Sequence, residues 1–283
     1  MPELPEVETI RRSLEPHLVG RRIEAVAIDH VHVTGPTPPR AFAHALRGRS
    51  ITRLWRRGKY MVWDLAGDGL EPLHVVAHLR MTGRLRYLEP HRQWLESAAH
   101  THARFRLAGG GRLFFHDVRK FGRLLLTGPA QLPGLLPTGR DPVLDGLAAA
   151  DLQQILGKRA VQLKALLLRQ DLLCGLGNIY ADEALHRAGL HPQRTAVDLR
   201  GPEYERLVSG IVEVLAEALA FRGTTLLDYR SGDGERGAFG QYLRVYGRAG
   251  APCRSCGAPI ATVRVVGRTT AFCPHCQAAP DPV

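Results

Sequence analysis

The chain has 283 residues, 45% of them hydrophobic, which suffices for two domains with separate cores and excludes a disordered protein. Its 38 basic and 27 acidic side chains leave a net charge of +11 and a pI near 10.0, a balance suited to a polyanionic partner, nucleic acid first among them. No apolar run approaches the roughly 20 residues of a membrane span, and the acidic, proline-rich start is unlike a signal peptide. The expected setting is therefore the cytoplasm, on the nucleoid, with reduced cysteines and no membrane partner.

The first predicted element is a helix. Pro5 suits its first position, Val7, Ile10, Leu14 and Leu18 share one face, and Gly20 closes it. Eight short runs then read as strands: Ile23–Ile28, Ile51–Trp55, Tyr60–Leu65, Leu73–Leu79, Leu85–Leu88, Ala103–Leu107, Leu113–His116 and Gly122–Leu126. So many short, evenly spaced strands predict a β-sandwich or barrel. From Leu147 the period becomes helical, with helices near Ala149–Leu156, Val161–Arg169, Asn178–Ala188 and Pro202–Phe221. The fold class is α+β and multidomain. Its expected parts are a sandwich domain over 1–130, a Gly- and Pro-rich linker over 131–146, a helical DNA-binding domain over 147–222, a Gly-rich loop over 223–247 and a cysteine-bearing hairpin over 248–283.

Cys253, Cys256, Cys273 and Cys276 form two C-x2-C pairs, the spacing of a structural zinc site that binds one Zn2+. Between them TVRVVGRTTAF alternates like two strands turning at Gly267, with Arg264 and Arg268 on the hairpin. His275 lies between two ligands and reads as a bystander, and Cys174, among apolar neighbours, reads as a core residue. In DLLCGLGNIY, Gly175 and Gly177 precede Asn178, a residue suited to capping a helix. A helix start of this kind, with its backbone N–H groups and positive dipole end, can bind phosphate.

The opening MPELPE admits two readings. Pro and Glu suit the first turn of any helix. Alternatively, loss of Met1 frees the secondary amine of Pro2. An α-amino group titrates near ~7.7–8, so at neutral pH a useful fraction is uncharged and nucleophilic, and Glu3 beside it could move protons. Taken alone, these six residues favour the first reading.

Across the whole chain, MPELPEVETIRRSLEPHLVG, RRGKY, AHLRMTG, HDVRKFG, GLGNIYADE, VYGR and the cysteine hairpin occur in one order. In these motifs the sequence resembles the formamidopyrimidine-DNA glycosylases, bacterial repair enzymes for oxidised purines. The resemblance implies a helix–two-turns–helix domain, double-stranded DNA bound between two domains, and a monomer that excises 8-oxoguanine and formamidopyrimidines before β,δ-elimination at the abasic site. It implies Pro2 as Schiff-base nucleophile, Glu3 as general acid/base and Glu6 in support. Lys59 and Arg268 would act at phosphates flanking the lesion. His78, His100, Arg119, Arg159, Asn178 and Tyr246 would contact DNA, while Met81, Arg119 and Phe121 would fill the void left by a flipped base. From their chemistry alone Met81 and Phe121 read as core residues. An extended HDVRKFG loop would turn Arg119 and Phe121 to one side. Thr224 and the segment Leu226, Leu227, Asp228 and Tyr229 would recognise the base. The alternatives are the oxidised-pyrimidine branch of endonuclease VIII type, whose members open MPEGPE where this chain has Leu4, and a non-catalytic DNA-binding relative.

Overall fold

A computed structural model describes residues 1–93, 98–225 and 230–279. The chain divides into two compact units, residues 1–136 with 221–238, and residues 137–220 with 239–283.

The first unit begins with helix α1 (Leu4–Leu18), whose Leu4, Val7, Ile10, Leu14 and Leu18 are buried. Glu3 is its N-cap, so Leu4 takes the first helical position and Pro5 the second, one later than the sequence suggested. The helix stops at Leu18 because Val19 is already extended; Gly20, at φ +80°, turns the chain into the first strand.

Eight strands follow: β1 (Ile23–Ile28), β2 (Ser50–Arg57), β3 (Tyr60–Gly67), β4 (Leu70–His78), β5 (Gly83–Leu88), β6 (Thr101–Leu107), β7 (Arg112–Asp117) and β8 (Arg123–Thr127). They form two antiparallel four-stranded sheets, ordered β1-β6-β7-β5 and β2-β3-β4-β8. Their inner faces share one core, in which Trp63 of β3 meets Phe105 of β6 edge-on at 5.5 Å, and α1 packs into the same cluster. A short helix, α2 (Pro39–Leu46), lies between β1 and β2 and buries Phe42 and Leu46 there. No element is expected from the sequence between Ile28 and Ile51; Pro39 takes the first helical position, where proline starts a helix readily. A one-turn helix, α3 (Leu132–Leu135), occupies part of the expected linker.

The second unit holds α4 (Ala149–Leu156), α5 (Leu163–Leu167), α6 (Asn178–Ala188) and α7 (Gly201–Ala220), then the hairpin β9 (Ala261–Val265) and β10 (Arg268–Phe272). Helix α5 is shorter than its apolar pattern because Gln162 is extended and bridges to Thr195. Among the described residues no helix is long and apolar enough to cross a membrane.

Helices α6 and α7 approach closely at Gly210, where an added Cβ would lie 2.7 Å from the Ala184 carbonyl oxygen. Alanine gains about 1 kcal/mol of helix propensity over glycine, but overpacking against backbone costs about 1–3 kcal/mol. Gly210→Ala should therefore lower the melting temperature, as thermal unfolding followed by circular dichroism would register.

Candidate functional site

The N-terminus is pinned by carboxylates. Pro2 is buried while Met1 is exposed, and Glu3, Glu6 and Glu8 are 2%, 1% and 6% exposed. Buried carboxylates need donors. Glu6 Oε2 accepts the Glu3 N–H at 2.8 Å, and its Oε1 accepts the Thr224 N–H at 2.7 Å. Glu8 accepts from Arg11, Arg12 and the buried Arg56, whose Nη1 in turn donates to the Gly58 carbonyl at 3.2 Å. Helix α1 is thus joined to the turn that carries Lys59, itself buried. The paired arginines outweigh burial and hold the Glu8 carboxyl below the ordinary range.

Strand register gathers more residues at the same end of one sheet. Tyr60, next to Lys59, pairs with His78, and His78 pairs with Arg123. The His78 ring meets Tyr60 edge-on at 4.4 Å, and its Nδ1 accepts the Arg80 N–H at 3.0 Å. Burial first, then the charges of Arg80 and Lys59, push its pKa down from 6.5 to about 3. His78 is therefore a neutral imidazole with its proton on Nε2, a donor that can meet an anion.

Here too the chain crosses between the sheets twice, from β4 to β5 and from β7 to β8. Met81 and Phe121, on these two turns, are 45% and 46% exposed, against the core reading of their side chains. Arg119 lies between them, its Nη1 3.0 Å from the Met81 sulfur and its guanidinium 4.7 Å from the centre of the Phe121 ring. HDVRKFG is a tight turn rather than an extended loop, with Lys120 at φ +59°. Arg119 and Phe121 nevertheless share a side, because the cation stacks on the ring. His100 is half-buried and faces His116 at 5.8 Å, without a contact to this cluster among the hydrogen bonds and ring pairs of the described residues.

The neck of the Gly-rich loop belongs to the same unit. Thr224 bridges to Ala238, Gly237 donates to the Thr225 hydroxyl at 2.8 Å, and Gly232 donates to Ser13 of α1 at 2.8 Å. Thr224 is buried, and Leu226, Leu227, Asp228 and Tyr229 lie outside the described residues.

In the second unit, Gly177 is the N-cap of α6 and Asn178 is already helical, correcting the capping expectation. The Asn178 side chain instead donates to the Thr269 carbonyl of β10 at 3.1 Å, so it ties helix to hairpin. Gln170, unmarked in the sequence, shapes the glycine turn by accepting the Gly175 N–H and donating to the Leu176 carbonyl, both at 2.9 Å. Two further acids escaped sequence reasoning. Asp182 receives Lys164 Nζ at 2.5 Å and the Ala271 N–H at 3.0 Å, with burial pushing its carboxyl up. Glu183 accepts the N–H groups of Arg244, Val245 and Tyr246 at 2.9–3.0 Å. The only signal for either was an acidic pair inside an otherwise apolar helix face. Asn178, Tyr246 and Thr269 line a cavity of about 190 Å³. Arg268 is exposed at the start of β10, after the turn Val266–Gly267, where both φ angles are positive as in a two-residue hairpin. Arg159 is half-buried beyond the end of α4, its Nε donating to the Ile155 carbonyl at 3.1 Å.

The four cysteine sulfurs converge within 4.8 Å of one another. Cys253 and Cys276 are 3.9 Å apart, and Cys256 and Cys273 are 3.5 Å apart. A tetrahedron of Zn–S bonds of ~2.3 Å has edges of about 3.8 Å, so the set fits one structural zinc, and all four ligands are protein. Ser255 and Cys276 point backbone N–H groups at sulfurs, at 3.4 Å each, which offsets thiolate charge. His275 is exposed and outside the cluster, while Cys174 is fully buried.

Comparison with known proteins covers nearly the whole chain. Residues 1–124 match the formamidopyrimidine-DNA glycosylase N-terminal domain, 138–229 its H2TH domain, and 250–279 a zinc finger found in FPG and IleRS. A formamidopyrimidine-DNA glycosylase of Heliobacterium modesticaldum is 48% identical over 98% of this chain and 100% of that protein. Its counterpart in Desulfitobacterium hafniense is 45% identical over the same shares. The crystal structure of MutM (Fpg) from Thermus thermophilus superposes with a TM-score of 0.85 at 42% identity, covering 99% of this chain and 100% of that one. A Lactococcus lactis Fpg bound to abasic-site DNA gives 0.87 at 34%, covering 98% and 100%.

Two outcomes follow from this geometry. Cys273→Ser should bind less than one zinc per chain and melt at lower temperature, since three thiolates no longer close the site; elemental analysis and thermal unfolding report both. His78 should remain neutral down to about pH 4 in a nitrogen-15 NMR titration. Its folded pKa lies below the unfolded ~6.5, so the unfolded chain binds more protons between the two values. The stability due to this group is whole above about pH 6.5 and is lost as pH falls toward 3, and His78→Gln should flatten that loss.

Proposed function

We propose a division of chemical labour for this chain, which belongs to the formamidopyrimidine-DNA glycosylase family. It is a bifunctional DNA glycosylase and AP lyase acting on oxidised purines and abasic sites. The observation that carries the assignment of residues is the pinned N-terminus: an exposed Met1 precedes a buried Pro2 that Glu6 holds in place through the Glu3 N–H.

Removal of Met1 frees the Pro2 amine. Its lone pair attacks C1′ of the damaged nucleotide, the C1′–base bond breaks, and the base leaves with a proton from solvent or an acid. The bound amine then loses its proton and its lone pair expels O4′, which takes a proton as the C1′–O4′ bond breaks and the sugar ring opens. The iminium so formed acidifies the C2′ hydrogens, and a base takes one while the 3′ phosphate departs; a second elimination, begun by loss of the C4′ hydrogen, expels the 5′ phosphate. Glu3, buried beside Pro2, moves these protons. Lys59, His78, Asn178, Tyr246 and Arg268 hold the phosphodiester backbone, with His100 and Arg159 as outer contacts. Met81, Arg119 and Phe121 occupy the space of the extruded nucleotide, a role their exposure allows. Arg119 donates to the orphaned partner base. Thr224 and the loop beyond it read the lesion. The partner is double-stranded DNA carrying an oxidised purine or abasic site, met by a monomer in the cytoplasm on the nucleoid.

Borohydride reduction during turnover of an 8-oxoguanine duplex should trap a covalent complex, with the sugar remnant on the Pro2 peptide in mass spectrometry. Trapping that continues undiminished in protein retaining Met1 would overturn the mechanism. Excision from an 8-oxoguanine duplex should outpace excision from a thymine glycol duplex; the reverse order would favour the pyrimidine branch.

A further inference from the structure

Two turns carry the three exposed side chains, and one buried carboxylate joins them. Asp117 is fully buried at the end of β7, where it pairs with Gly83, the first residue of β5. Its Oδ1 accepts the Thr82 hydroxyl, next in sequence to Met81, and the Arg119 N–H at 3.2 Å. The Thr82 oxygen also accepts the Arg119 N–H, at 3.2 Å, so carboxylate, hydroxyl and amide form a closed triangle. Oδ2 accepts the Gly122 N–H at 2.7 Å, just beyond Phe121. The Asp117 carbonyl takes the Lys120 N–H at 3.3 Å and bonds to His102 Nε2 at 2.7 Å. Asp117 thus binds both ends of its own turn and the neighbouring turn at once.

The need for such a brace follows from backbone strain. Each turn contains a residue other than glycine at positive φ, Arg80 at +54° and Lys120 at +59°. Conformations of this kind cost about 1–3 kcal/mol and persist where surrounding contacts over-determine them. Gly122 fits the same design, since an added Cβ would lie 2.5 Å from the Phe115 ring and 3.1 Å from Asp117 Oδ2. Among the described residues, the outward side chains contact one another instead: Arg119 lies against the Met81 sulfur and over the Phe121 ring.

We infer that Asp117, acting with Thr82, is the positioning residue that preassembles Met81, Arg119 and Phe121 into one wedge before DNA arrives. The inference rests on the reading of these three as void-filling residues. Neither Asp117 nor Thr82 need touch the nucleic acid; they act through Arg119. Without the brace the two turns move independently, and Arg119 reaches the orphaned base in many poses instead of one.

The test is the ratio of kcat/KM for 8-oxoguanine opposite cytosine to that opposite adenine. A partly unfolded variant slows both duplexes alike and leaves this ratio alone. Thr82→Val removes the hydroxyl at constant shape, and Asp117→Asn presents an amide N–H to one of three donors it must accept. Both should lower the ratio at least fivefold, toward that of Arg119→Ala, because a bidentate base contact confers roughly 5- to 150-fold discrimination. Thr82→Ser, which keeps the hydroxyl, should restore it. If Thr82→Val retains the wild-type ratio while Arg119→Ala loses it, the brace is refuted and the wedge stands. If Arg119→Ala also retains it, the void-filling reading fails, and this inference fails with it. Should Asp117→Asn not fold, the Thr82 pair decides the matter.

Discussion

A carboxylate buried at the start of a helix must find donors, and in this protein the donors it finds hold in place the backbone beside Pro2, the residue proposed as nucleophile. Glu6 is 1% exposed and divides its two oxygens between the Glu3 N–H and the Thr224 N–H. The first contact anchors the residue after Pro2; the second anchors the neck of the Gly-rich loop. A lysine nucleophile would arrive on a flexible four-carbon stem, but an N-terminal proline has no side-chain reach and can be placed only by placing the backbone. The buried face of α1, the Glu6 contacts and the Glu8–Arg56 link all serve that constraint. They make the opening run of glutamates intelligible as a set of donor-seeking anchors.

The sandwich contributes position of another kind. Its two sheets exchange strands at one end, from β4 to β5 and from β7 to β8, and pairing of β3, β4 and β8 brings Tyr60, His78 and Arg123 to the same end. Residues from three separate motifs therefore converge without a dedicated domain. A cluster of cations here would repel itself, and burial relieves part of that by keeping His78 neutral. The end of a strand holds His78 and a tight turn between two strands holds Lys59, while strained turns hold the exposed side chains.

In a chain of net charge +11, buried acids organise the second unit as well. Asp182 and Glu183 are adjacent on α6 and face different partners. Asp182 takes the Ala271 N–H of β10 together with Lys164, and Glu183 gathers three successive amides up to Tyr246. The zinc closes the far end of the hairpin, and its small core of Val245, Ile260 and Ala271 would be too little to fold unaided. Metal and buried carboxylates together fix where Arg268 and Asn178 stand within this unit.

Much of this was legible in sequence because it is encoded over short spans. Apolar period along α1, alternation in the strands, C-x2-C spacing and the hairpin turn at Gly267 each depend on neighbours within a few residues. Ordered motifs carried the family and, with it, candidates for every site position. Tertiary structure decided what depends on distant partners. It gave Glu6 its bond to Thr224, 218 residues away, and Glu183 its bonds to amides 61 to 63 residues on. It turned Asn178 from a cap into a link to Thr269, and it left Met81 and Phe121 in solvent although their chemistry reads as core. The exposure of an apolar side chain is set by what other segments cover it, and the worth of a buried charge by donors that no local pattern announces.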